Sequence, residues 1–304
     1  MSTRRIPLLA SAMALGAGAV WSFGAITARL ADGADAFQYL IWRSVGIIVV
    51  VELIARAQRR PVQVVRAVRS GRLMVIGSVM IFVASIGFVY AVKTTTAANA
   101  AFFGSTTPIF GALLARLVLK ERLDRVTIGT IAIAFTGLFV MVAGDLSGGN
   151  MVGNASAVVS AMGFAGYAVC VRLDPGRDWS PALPGYGVLM IVVCGAVTLG
   201  AGKTLVPPAP DVAWALLHGG VIIVLGTFLF NVGSRRVPAA AMTVFAQTEM
   251  VLVPVWAFLV LDEVPKTTTL IGGTIIVTAI VGKALIDARA RRPTDVPLGV
   301  PEPL

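Results

Sequence analysis

Apolar residues run along this chain in blocks of about twenty, the length an α-helix needs to cross the hydrocarbon layer of a bilayer. Polar residues collect in the short stretches between. Ten such blocks can be drawn, at 7–29, 36–55, 73–92, 96–118, 126–144, 151–171, 182–201, 212–232, 238–261 and 268–287. The pattern predicts an all-α integral membrane protein with ten transmembrane helices joined by short connections.

Composition strengthens that reading. The 304 residues are 57% hydrophobic and 13% charged, with a mean hydropathy of +0.87, outside the range of a soluble domain. A formal charge of +10 would point to nucleic acid in a soluble protein. Here the basic residues sit in loops, so a nucleic-acid partner is rejected. With ten spans the loops fall on two alternating sides, and Lys and Arg divide 18 to 4 between them. Basic loops stay in the cytoplasm, which predicts cytoplasmic N- and C-termini in a bacterial inner membrane. Arg4 and Arg5 before an apolar stretch superficially resemble an export signal. That stretch exceeds a signal h-region of about 7 to 15 residues, and it is read as a retained first helix. Cys170 and Cys194 have no metal-type or redox spacing and read as packing residues.

The second half repeats the first. At an offset of about 143 residues, ARLAD at 28–32 echoes VRLD at 171–174, Asp35 falls on Asp178, and Gly77 on Gly220. LLARLVLKERL at 113–123 falls on VWAFLVLDEVP at 255–265, and Gly129 on Gly273. Each half has five helices, an odd number, so the second threads the membrane in the opposite sense. Inverted repeats of this kind are a recurring transporter plan, with a midplane site where the halves meet. The expected organisation is a first repeat at 1–145, an inverted second repeat at 146–288 around a central cavity, and a cytoplasmic tail at 289–304.

AVWSFGAITARL at 19–30, FVYAVKTTTAANAAFFGSTTPIFGALLARLVLKERL at 88–123 and LFNVGSRRVPAAAMTVFAQTEMVLVPVWAFLVLDEVP at 229–265 carry a family resemblance. The chain resembles the drug/metabolite transporter superfamily, in its EamA branch, along nearly its whole length. Within that branch it looks most like amino-acid exporters of the YddG type. One departure stands out: the family's second copy often has a Glu-Pro pair, whereas Glu249 is followed by Met250, with the proline at Pro254. A kink there is expected to be displaced by about a turn.

An ionisable group at bilayer depth costs roughly 2.5 to 3.5 kcal/mol on insertion scales and faces a cavity or a partner. Glu249 and Arg43 fit that description, and their counterparts in the repeat are Thr107 and Tyr186. Glu249 either binds a substrate ammonium or relays a proton, or it stays protonated or pairs with Arg43 as a structural lock. Asn99, Phe103 and Thr106 share one face of the fourth helix, and Phe103 falls on Phe245. That pair would clasp an apolar side chain, or pack between helices. Trp21, Phe82, Tyr90 and Tyr167 are further aromatic candidates, Tyr90 also fitting an interfacial anchor. Ser22 and Gln247 would hydrogen-bond a substrate or a neighbouring helix. His218, the one histidine, would titrate or be satisfied by a hydrogen bond. Pro108 and Pro254 are structural or gating candidates together with Arg43. Lys283 suggests a retinal lysine, but its place near the cytoplasmic end argues against that. Glu121 and Glu263 read as turn residues.

Together these features predict a secondary transporter exporting small metabolites, with neutral or aromatic amino acids as the expected class, by alternating access. The alternatives are transport of another solute such as a drug or sugar-type metabolite, a passive pore, or an intramembrane enzyme. The last is disfavoured because no HExxH or GxSxG motif occurs. No Walker A motif is present, and no cofactor or metal is expected. The expected partners are a small-molecule substrate and membrane lipid, with proton coupling or simple facilitated diffusion both open. A monomer is compatible with everything above.

Overall fold

The computed structural model describes residues 8–95, 103–121, 123–142, 150–237, 239–261 and 267–289. Asn99, Glu263 and the tail after Arg289 lie outside them. Every described element is helical: α1 (Leu8–Trp21), α2 (Phe23–Leu30), α3 (Ala36–Ala57), α4 (Gln63–Arg69), α5 (Arg72–Thr94), α6 (Thr107–Leu117) and α7 (Arg125–Val142). The second half holds α8 (Met151–Leu173), α9 (Ala182–Gly200), α10 (Ala209–Leu217), a π-helical segment (His218–Ile223), α11 (Val224–Ser234), α12 (Ala239–Ala246), α13 (Thr248–Leu261) and α14 (Thr267–Arg289). Among the described residues, six helices or helix pairs are long and apolar enough to cross a membrane, and three further apolar helices are shorter.

Local chemistry marks the helix ends. Asp35 opens α3 with a capping box: its carboxylate accepts from the Phe37 and Gln38 N–H groups, and the Gln38 side chain accepts from the Asp35 N–H, satisfying donors that have no partner inside a helix. Asn150 caps α8 through the Val152 N–H. Pro108 enters α6 in its first turn, where a missing N–H costs nothing.

The outer surface inverts the pattern of a soluble protein. Leu53, Leu117, Phe139, Leu199 and Leu259 are all exposed, as lipid-facing residues should be. Between helices the contacts rely on small residues, the usual solution where lipid tails compete with side chains. A side chain at Gly163 of α8 would meet the Met80 carbonyl of α5 at 2.8 Å, and one at Gly87 of α5 would meet the Ser156 carbonyl of α8 at 2.7 Å. These two helices make the most extensive contact in the molecule.

The packing has a regular plan. Numbered by the ten apolar blocks of the sequence, the first (α1–α2) packs on the eighth (α10–α11) through α1 and α11, the third (α5) on the sixth (α8), the second (α3) on the seventh (α9), and the fifth (α7) on the tenth (α14). In the fourth and ninth spans, α6 meets α12. Exchanging each span with the one five places on maps this set of contacts onto itself.

Among the described residues, three helical stretches are interrupted: the first at Ser22, the fourth at Ser105 and Thr106, and the ninth at Gln247. The last two are matched across the repeat. The ninth span therefore breaks before Glu249 and not at Pro254, which lies within the continuous α13. At the break the Thr248 hydroxyl donates to the Phe245 carbonyl at 2.8 Å. A Cβ added to Gly18 of α1 would approach the Ala246 carbonyl to 2.9 Å. The break is held by a local hydrogen bond and a close backbone approach.

Candidate functional site

The interior holds a cavity of about 150 Å³ whose walls come from both halves. Arg43, Ser85, Gln247 and Glu249 line it together with Trp21, Phe88, Phe164, Tyr186 and His218.

Arg43 enters from the middle of α3. Its guanidinium donates to the Ser85 hydroxyl, its side chain is buried, and its Nε has no hydrogen-bond partner among the described residues. Glu249 lines the same space from the first turn of α13. Among the described residues no ion pair joins it to Arg43. The structural lock by mutual pairing is therefore not the arrangement seen. A buried guanidinium with an unmet donor, and a carboxylate not paired with it, are costly to hold away from water.

His218 begins the π-helical segment, a form that recurs at functional sites. Gly219 and Gly220 follow it, and a side chain at Gly219 would collide with the Arg43 carbonyl. The two glycines thus bring the eighth span onto α3 beside Arg43. The Thr27 hydroxyl donates to the Gly24 carbonyl at 2.9 Å, and the Tyr39 hydroxyl donates to Thr27 at 3.3 Å. The Tyr39 hydroxyl also lies 2.7 Å from His218 Nδ1, in a hydrogen bond whose direction follows the imidazole tautomer.

Below the cavity runs a chain of rings. Trp21 and Phe164 meet edge to face at 5.4 Å, and both touch Phe230, at 5.6 and 5.1 Å. Phe230 lies 6.1 Å from Tyr167, whose ring meets Trp179 at 6.0 Å. The Tyr167 hydroxyl donates to Asn231 Oδ1 at 2.7 Å. Trp179 and Asn231 line a second, wider cleft of about 690 Å³ on the arginine-rich side. Phe230 and Tyr167, both fully buried, therefore form a partition between the two spaces.

A family model for EamA-like transporters matches the chain twice, at residues 8–143 and 151–283. The chain belongs to the EamA-like transporter family. With its apolar helices, this makes it a multi-pass membrane protein of two repeats. The pseudopaline exporter CntI of Pseudomonas aeruginosa is 26% identical over 193 residues, covering 63% of this chain and 67% of that protein. The uncharacterized transporter YetK of Bacillus subtilis is 24% identical over 192 residues, covering 60% of this chain and 58% of that protein. A solved crystal structure superposes with a TM-score of 0.77 over 92% of this chain and 99% of its own, at 16% identity. That last likeness concerns the fold.

The repeats of this EamA-like transporter meet at its cavity in matched positions. Trp21 corresponds to Phe164, Arg43 to Tyr186 and Ala84 to Thr227 at an offset of 143; Gly104 corresponds to Ala246 and Thr107 to Glu249 at 142. All ten line the cavity. Trp21 and Phe164, partners by this rule, touch each other directly.

Of the residues expected from sequence, Trp21, Arg43, His218, Gln247 and Glu249 come together here. The others are elsewhere. Ser22 donates to the Ala19 carbonyl and accepts from Trp256 Nε1 at 2.7 Å, which fastens the kink of the first span to α13. Phe82 packs on the main core, and Tyr90 lies 5.9 Å from Phe37. Phe103 packs with Ala91 and Ala157, while Phe245 is fully buried in the main core. These two rings do not line the cavity; the aromatic pair that bridges the repeats is Trp21 with Phe164. The Thr106 hydroxyl donates to the Phe103 carbonyl at 2.6 Å, and Tyr167 belongs to the partition. Pro108 borders a separate small void that Gln247 also reaches. Lys283 is buried, 4.0 Å from the Asp124 carboxylate.

Sequence reasoning missed Ser85, Phe88, Phe164 and Thr227 among the lining residues. Phe164 and Thr227 had a signal: they are the repeat counterparts of Trp21 and Ala84.

Proposed function

We propose that this protein exports zwitterionic amino acids with apolar or aromatic side chains across the bacterial inner membrane by alternating access. The observation that carries the reading is the pair Arg43 and Glu249, opposite in charge, unpaired with each other, on the wall of one cavity. Arg43 receives the α-carboxylate, for which a planar guanidinium fork is suited. Glu249 receives the α-ammonium. Trp21, Phe88 and Phe164 face the side chain, each aromatic contact worth about 0.5 to 1.5 kcal/mol. Ten crossings, inverted repeats and cytoplasmic termini belong to the same proposal. They are supported by the exchange-symmetric packing and by the 18 to 4 division of basic residues. An outward direction is supported by the relative that is an exporter.

That relative's name also favours a second reading, export of a pseudopaline-like metabolite. Counterflow in proteoliposomes over a panel of amino acids and larger metabolites, with a pH gradient imposed or absent, separates the two. Saturable exchange of neutral or aromatic amino acids is expected. Exchange of another metabolite with no amino acid moving would sink the proposal. A dependence on the imposed gradient assigns Glu249 a proton as well as an ammonium.

A further inference from the structure

The wide cleft on the arginine-rich side is separate from the transport cavity and has its own chemistry. Its floor carries Arg60, Arg66, Arg177 and Arg235 against one lining carboxylate, Asp178. Arg60 and Arg66 share a single oxygen of that carboxylate, at 3.4 and 3.0 Å, while the other oxygen accepts from the Ser180 N–H and hydroxyl at 3.1 and 2.6 Å. Arg177 is occupied by Asp174 and by the Ser70 carbonyl. Arg235 forms no ion pair among the described residues. The cleft thus holds more positive charge than its own acid neutralises. Its walls are apolar: Val51 and Ile54 near the end of α3, and Val224, Phe228 and Val232 along α11. Ile54 and Phe228 are 44% and 58% exposed, so the walls continue onto the lipid-facing surface.

A basic floor at the end of two membrane helices, joined to apolar walls open sideways, matches a molecule with an anionic head and hydrocarbon tails. We propose that this cleft binds an anionic glycerophospholipid, with its phosphate on Arg60 and Arg235 and its acyl chains along Ile54 and Phe228. The charge surplus favours an anionic head over a zwitterionic one. The open apolar walls favour a lipid over a free anion, which would leave them unused. This inference does not depend on which solute the transport cavity carries.

Native mass spectrometry of the full-length protein, delipidated in mild detergent and titrated with phosphatidylglycerol or phosphatidylcholine, tests it. The wild type should retain phosphatidylglycerol in preference, and Arg60→Gln with Arg235→Gln should weaken that preference roughly thirtyfold, since each basic side chain near the surface contributes about a kcal/mol. Arg60→Lys with Arg235→Lys should keep most of it, which separates charge from folding. Arg56→Gln with Arg69→Gln, in the same basic segment but outside the cleft, should leave it unchanged. Equal retention of the two lipids by the wild type would overturn the proposal. So would an equal loss from the Arg56 and Arg69 pair, and so would inorganic phosphate competing as effectively as the lipid.

Discussion

The two halves of this transporter build the cavity from the same positions with different residues. The first half places Trp21, Arg43 and Thr107 where the second places Phe164, Tyr186 and Glu249. At the first position an aromatic ring is kept on both sides. At the other two the charge stands on one side only, and on opposite halves. The scaffold is therefore nearly two-fold and the chemistry is not: each repeat carries one ionisable residue where the other carries a neutral one. Under the proposed function, a substrate with separated opposite charges would sit against the cavity wall in one orientation.

Making the halves alike should have the largest effect. Arg43→Tyr with Glu249→Thr copies each residue's counterpart and leaves an uncharged cavity; amino-acid exchange in proteoliposomes should be abolished. Because the substitution removes buried charges, whose desolvation is costly, the purified protein should stay monodisperse with an undiminished melting temperature. Single neutralisation is the next largest. Arg43→Gln or Glu249→Gln should raise the KM for exchange about 10- to 100-fold, the range expected for losing a charged hydrogen bond worth roughly 1.5 to 3 kcal/mol.

The partition offers a third way to test the comparison, because Phe230 supports both Trp21 and Phe164. Phe230→Ala should destabilise the protein by about 3 to 5 kcal/mol, as large core truncations do, and should add a non-saturable leak to the saturable exchange. Gly24→Ala is gentler. Its new methyl group would lie 2.6 Å from His218 Nε2, so the imidazole must move, and exchange should slow a few-fold with little change in melting temperature.

The smallest expected effect lies outside the membrane. Burial alone would push the Asp178 carboxyl up, but the Ser180 hydroxyl and N–H and the Arg66 guanidinium outweigh it and hold the carboxyl below its ordinary value of 3.8. A lowered folded value means that this stabilisation is complete above the ordinary value and is lost as the pH falls through the lowered one. Asp178→Asn should slightly lower the melting temperature at pH 7. That gap from the wild type should close in strong acid, as followed by scanning calorimetry across the pH series.

The all-helical membrane architecture and the repeat were legible because each rests on periodic signals that lipid enforces. Arg43 and Glu249 were legible because ionised groups are rare at that depth. The side-chain directions were not. Phe103 and Phe245 share a repeat position, yet each turns into helix packing, while the residues next to them, Gly104 and Ala246, line the cavity. The break at Gln247 carried no proline to announce it; it depends on Gly18, distant in sequence and close in space. The partition was hidden for a similar reason. Tyr167 and Phe230 look like any apolar helix residues until Asn231 and Trp179 are seen beside them.

Exchange of charge analogues in proteoliposomes tests the central claim most directly. A matched set would be phenylalanine, its amide, which lacks the carboxylate, and its deaminated acid, which lacks the ammonium. The dipolar cavity predicts that the wild type exchanges phenylalanine and neither analogue. Glu249→Gln should lose most of its discrimination against the acid, and Arg43→Gln most of its discrimination against the amide. Wild-type exchange of all three at similar rates, or discrimination unchanged in both variants, would contradict the account.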